Sequence, residues 1–109
     1  MTSRIPAPKN VTSTKRGFAV LQTSRKAQTA VMTLKPGGAS GPKGNEHPKS
    51  EQILFVVKGT VDAEIGKRRQ RLHKGDVVIV PPGVAHRFSN PSRAPALTFN
   101  VYSPPAYDA

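Results

Sequence analysis

The sequence predicts a single all-β domain, a small barrel or sandwich. Three observations carry this expectation. The chain has 109 residues, the size of one ordinary domain; two independent cores would each be too small to bury much surface. Short apolar runs recur between Gly and Pro turns, the pattern of closely spaced strands. No long stretch keeps a helical apolar period, so little or no helix is expected.

The elements follow in order. Residues 1–17 carry Pro6 and Pro8 without periodicity and read as a flexible N-terminal arm. The domain proper is expected over 18–105. Phe18–Thr23 and Gln28–Leu34 are apolar-rich and read as strands. Lys35–Pro48 is rich in Gly and Pro and reads as a loop long enough to carry function. Gln52–Lys58, Val61–Ile65, Arg69–His73, Val77–Val80, Ala85–Ser89 and Ala96–Tyr102 complete the expected strands. Gly59, Gly66, Gly75 and Gly83 punctuate them.

Alternation adds detail. In Val61–Ile65 the apolar residues share one face, and Asp62 and Glu64 share the other. A hairpin turning at Gly66–Arg68 sets these acids beside Arg69 and Arg71, a solvated arrangement of cross-strand ion pairs. Gln52–Lys58 is apolar on both faces. Gln52, Leu54 and Val56 point one way; Ile53, Phe55 and Val57 point the other. Such a strand is covered on both sides, and the second cover is another sheet, the arm or another subunit. A homodimer is therefore expected. In the last strand either Thr98, Asn100 and Tyr102 line the interior, or Leu97, Phe99 and Val101 form the core face. Alternation alone does not choose.

Seventeen Lys and Arg stand against 6 Asp and Glu, a net charge of +11. This balance points to an anionic partner. Nucleic acid is not expected, because the basic run Lys67–Arg71 has no interleaved aromatics for stacking and no helix to enter a groove. The other cations, including Lys15, Arg16, Arg25 and Lys35, are dispersed. The absence of Cys excludes disulfides and thiolate zinc sites. No apolar run is long enough to span a bilayer and no leader pattern opens the chain, so a cytoplasmic protein without membrane contact is expected.

The strongest chemical signal is GDVVIVPPGVAHRFSN at residues 75–90. Its spacing is Gly75, five residues, Pro81, one, Gly83, two, His86, three, Asn90. This resembles the second motif of the cupin superfamily. The stretch GPKGNEHPKSEQILFVVKG at residues 41–59 is similar to the first motif, with Asn45, His47 and Gln52 at its ligand positions and Gly59 at its end. Two of those three positions depart from the commoner His and Glu. The ending Leu97–Pro105 resembles small mannose-6-phosphate isomerase-like cupins. The resemblance covers roughly residues 28–105. It implies a cupin double-stranded β-helix, a jelly-roll-type barrel with its site at the mouth and lumen.

The resemblance further implies metal ligands at Asn45, His47, Gln52 and His86. Imidazole and amide donors suit a divalent transition metal such as Mn, Fe, Ni or Zn. Lys43, Lys49 and Tyr102 are the candidate substrate-binding residues around the mouth, and Glu46 and Glu51 are the nearest carboxylates. The first function expected is a metal-binding protein acting on or binding an anionic small molecule, a sugar or sugar phosphate among the candidates. The alternative is a non-catalytic ligand-binding cupin with a degenerate metal site.

Overall fold

The computed structural model describes residues 5–13, 17–41, 43–45 and 47–108. Lys15, Arg16 and Glu46 lie outside these residues. Eight strands form: β1 Phe18–Thr23, β2 Gln28–Leu34, β3 Glu51–Lys58, β4 Val61–Ile65, β5 Arg68–Leu72, β6 Val77–Val80, β7 His86–Ser89 and β8 Ala96–Ser103. The only helix among the described residues is a single 3-10 turn, Val11–Ser13. Two antiparallel sheets face each other, ordered β1-β2-β8-β3-β6 and β5-β4-β7. This is the expected all-β jelly roll.

Register explains the core. Gln52 pairs with Tyr102, which pairs with Gln28; Leu54, Asn100 and Ala30 form the next row; Val56, Thr98 and Met32 the one after. All nine are buried, so this is the inner face of the larger sheet. From the smaller sheet Val61, Ala63, Leu72 and Phe88 close on it. The polar residues therefore gather toward the end of the barrel that carries Gln52, and the aliphatic core fills the other. This settles β8: Thr98, Asn100 and Tyr102 point inward, while Leu97, Phe99 and Val101 are half-buried on the outer face.

The β4–β5 hairpin is one residue tighter than expected. Ile65 pairs with Arg68, leaving Gly66 and Lys67 as the turn. Gly66 has φ 58°, the left-handed region a two-residue hairpin loop requires. The cross-strand pairs form as the alternation implied. Arg71 Nε donates to Asp62 Oδ1 at 2.8 Å, and Arg69 lies 3.8 Å from Glu64. The Asp62 hydrogen bond raises the Arg71 pKa above its ordinary value.

Loop 35–50 is more ordered than a simple connector. Its first part runs along β7 as an irregular fourth strand of the smaller sheet. Ser40 N donates to Phe88 O at 2.8 Å, and His86 N donates to Gly44 O at 2.9 Å. Arg87 Nε adds a bond to Gly41 O. These bonds fix the approach to His47. The described part of the arm touches β1, where Gln22 Nε2 donates to Ala7 O at 3.1 Å. The outer face of β3 is covered only in part within the chain: Phe55 is 38% exposed, and Val77 and Ile79 on neighbouring β6 are 58% and 57% exposed.

Candidate functional site

The inward face of β3 carries Gln52, and β7 opens on His86. Parity decides both, since each shares its face with a core residue, Leu54 and Phe88 respectively. His47 arrives from the loop and is buried at 5% exposure. The His47 and His86 ring centroids are 4.6 Å apart, and Tyr102 meets His47 edge-on at 5.1 Å. Three of the four residues expected as ligands therefore come together, with Tyr102 beside them. Asn45 does not join them: it is exposed on the loop and does not line the cavity described below.

A buried chain of hydrogen bonds holds this group. Thr98 Oγ1 donates to Met32 O at 3.2 Å. Asn100 Nδ2 donates to Thr98 Oγ1 at 3.0 Å, and Gln52 Nε2 donates to Asn100 Oδ1 at 2.8 Å. The direction of the chain is set at its far end. The Met32 carbonyl can only accept, so the single Thr98 proton goes there. Thr98 must then accept from the Asn100 amide nitrogen, and Asn100 in turn offers its oxygen to Gln52. Gln52 Oε1 is left facing His47 Nε2 at 2.9 Å.

The two histidines are oriented alike. His47 Nδ1 meets Ser50 O at 3.2 Å, and His86 Nδ1 meets Val84 O at 2.9 Å. A carbonyl only accepts, so in a neutral His86 ring the proton sits on Nδ1 and the lone pair on Nε2, whereas His47 faces a carbonyl oxygen at each nitrogen and as a neutral ring donates to only one of them. A backbone carbonyl that fixes the tautomer in this way is the usual support behind a metal-binding histidine. The consequence is specific. His47 Nε2 and Gln52 Oε1 are both buried and 2.9 Å apart. With its proton on Nε2 the His47 ring donates to Gln52 Oε1 and leaves Ser50 O unserved; with its proton on Nδ1 it serves Ser50 O, and a cation held by Nε2 and Oε1 then satisfies both atoms. By this test the donor chemistry of His47, Gln52 and His86 fits a cation.

A cavity of about 500 Å³ adjoins the group, with Gln52, His86 and Tyr102 in its wall. Most of the wall is apolar: Phe18, Met32, Leu34, Phe88 and the ring-bearing Tyr107. Lys35 is its single charged residue among the described ones. Lys43 and Lys49 are exposed and do not line it; the Lys43 ammonium bonds instead to the Gly66 carbonyl. Glu51 is half-buried on the β3 face opposite to Gln52.

Tyr107 lies beyond the expected end of the domain, and sequence reasoning missed it. Gln28, buried at the start of β2, clamps the tail: its Oε1 accepts from the backbone N of Ala106 and Tyr107, and its Nε2 donates to Tyr107 O at 2.7 Å. The Tyr107 ring thereby stacks near Phe18 at 4.9 Å and against the edge of Tyr102 at 5.1 Å. Asn90 also has a structural task. Its Nδ2 donates to Leu34 O and Ala94 O, which fixes the β7–β8 turn.

Two facing antiparallel sheets with two histidines at the lumen define a small jelly-roll barrel. The chain belongs to the cupin family: the cupin domain model matches residues 30–102. Among curated proteins it is 33% identical over 89 residues to the uncharacterized protein L612 of Acanthamoeba polyphaga mimivirus, covering 78% of this chain and 54% of that protein. It is 32% identical over 82 residues to the auxin-binding protein ABP19b of Prunus persica, covering 71% of this chain and 38% of that one. The chain thus spans about half of the first relative and less of the second. The crystal structure of BH2720 from Bacillus halodurans superposes with a TM-score of 0.83 at 20% identity, over 90% of this chain and 77% of that one, a likeness of fold. Among the described residues no helix is long and apolar enough to cross a membrane.

Proposed function

We propose that this cupin binds an anionic small molecule in its lumen through a divalent transition metal held by His47, Gln52 and His86. One observation carries the reading: two buried potential donor atoms to a metal, His47 Nε2 and Gln52 Oε1, lie 2.9 Å apart beside a second imidazole. Imidazole nitrogens and an amide oxygen suit Mn, Fe, Ni or Zn, and the bound ion supplies Lewis acidity to a ligand donor atom. The donors are neutral, so the ion keeps its charge and favours an anion. Tyr102 stands at the ligand's edge of the site. Asn45, Lys43 and Lys49 take no part in this reading. That the peach relative is named for binding auxin supports a small-molecule role. The mannose-6-phosphate isomerase-like subtype suggested by the chain's ending is a narrower form of the proposal.

A second reading, binding without turnover, rests on its own observation. No Asp or Glu among the described residues lines the cavity, so none of these residues offers a carboxylate acid–base pair to a ligand.

The test is metal analysis of protein purified without a nickel column, followed by zinc or manganese titration. About one ion per chain is expected, lost in His47→Ala and His86→Ala. Failure to bind either ion in excess overturns the reading.

A further inference from the structure

We infer that the free edge of β6 takes an extended acidic segment of a partner protein as an added strand, with one set of its side chains in the groove between the two sheets. This surface lies outside the lumen, and the inference does not depend on the metal reading.

The outermost strands of the two sheets are β1 and β6 in one and β5 and β7 in the other. Their edges differ. The loop covers β7, with Ala39 and Gly44 bridging to Ser89 and His86. The arm meets β1, where Gln22 bonds to Ala7. β5 carries Arg68, Arg69 and Arg71, and charge on an edge strand discourages pairing. β6 is Val77–Val80, wholly apolar, and no strand among the described residues covers it.

The main chain of β6 is aimed at that open edge. Val56 N donates to Asp76 O at 2.9 Å. Bonded and non-bonded pairs alternate along an antiparallel ladder. Val78 and Val80 therefore bond to their partners Leu54 and Gln52, while Val77 and Ile79 turn N–H and C=O away from β3. A strand laid along β6 pairs with these groups.

The adjoining groove of about 430 Å³ is lined by Ile65, Arg68, Gln70, Val78, Pro81 and Val84 among others. Ile65, Val78 and Val84 pack on the core yet are only partly buried. Apolar side chains of an added strand extend the core at this seam. Charge selects the occupant. Strand parity sets Arg69 and Arg71 against Glu64 and Asp62 on the outer face and turns Arg68 with Gln70 to the groove. A second copy would bring another arginine-bearing β5 to the seam, between chains that each carry +11. An acidic strand meets Arg68 and this field with the opposite sign.

The experiment titrates the full chain into short labelled peptides and reads fluorescence anisotropy. One peptide alternates valine and glutamate. A second alternates valine and lysine. The third is the valine–glutamate peptide N-methylated throughout, which keeps charge and side chains but has no main-chain donor. The first is expected to bind at least about tenfold tighter than either control. Ile79→Pro removes an edge N–H that the β3 ladder does not use; it is expected to weaken binding at least about tenfold with an unchanged circular dichroism spectrum. Arg68→Glu is expected to weaken the glutamate peptide and strengthen the lysine one. Equal binding of either control peptide overturns the proposal, and this comparison needs only the native chain. Unchanged affinity in both variants overturns it too. So does the absence of binding to the native chain; if light scattering then finds a dimer that Ile79→Pro dissociates, the edge belongs to a second copy.

Discussion

Replacing Gln52 by glutamate probes the hydrogen-bond chain and the metal site together. The side chain keeps its shape but exchanges the Nε2 donor for an acceptor. That atom faces Asn100 Oδ1 at 2.8 Å in a site where Gln52 is 3% exposed. Asn100 can turn its amide to meet the new oxygen. Its own oxygen then faces Thr98, whose one proton must leave either Asn100 or the Met32 carbonyl unserved. One buried hydrogen bond is lost, which costs about 1–3 kcal/mol. Metal binding moves the other way. At an effective dielectric of about 20, unit charges 4 Å apart attract by about 4 kcal/mol. About a third of that, left after desolvation, is already tenfold in affinity. Gln52→Glu is therefore expected to lower stability in EDTA by about 1–3 kcal/mol, read from urea unfolding. It should tighten zinc binding at least about tenfold, read by calorimetry. Unchanged stability in EDTA would show that the chain does not run in the assigned direction. Unchanged or weaker zinc binding would show that the ion does not use this oxygen.

Three further outcomes follow from the same geometry. Gly59 has φ 88°, and a Cβ there would stand 2.9 Å from Ala96 Cα and Pro95 O; Gly59→Ala is expected to cost about 2–4 kcal/mol in thermal unfolding. Gly75→Ala, with φ 92° but nothing within 4 Å, should cost only about 1 kcal/mol; equal losses would refute the close-approach argument. Gln28→Leu leaves the tail backbone without its clamp, so amide exchange at Ala106 and Tyr107 should speed markedly, and protection equal to that of the native chain would contradict the clamp. The Phe55, Val77 and Ile79 strip carries no charge in a chain of net +11, and it lies on the outer face of β3 and β6, β6 being the edge of its sheet. A second copy is expected to cover it at micromolar concentration, with Val77→Lys giving a monomer. A monomeric mass for the native chain in light scattering would refute this.

Much of the architecture follows from patterns that act over a few residues. Alternation in Val61–Ile65 and Gln52–Lys58 assigned the faces, because successive strand side chains point to opposite sides. Gly66 shaped the hairpin that brings Asp62 to Arg71. The two motif stretches set His47, Gln52 and His86 in register with Gly59 and Gly83, and the fold brings these three together. Asn45 shows where that register stops: it matches the motif by count, yet the loop leaves it exposed.

What alternation could not decide was which face of β8 is the inside. Leu97, Phe99 and Val101 are the more apolar set, but Thr98, Asn100 and Tyr102 are the ones enclosed. The reason is that a buried polar side chain is tolerated when its partners are in place, and those partners are Met32 and Gln52, far away in the chain. Tyr107 is a stronger case, held by a glutamine 79 positions earlier. Local sequence therefore determined the strands, the turns and the placement of the candidate ligands. The tertiary structure alone decided the direction of the hydrogen-bond chain, the aromatic wall and the His47–Gln52 contact, because each depends on atoms that only packing brings within bonding distance.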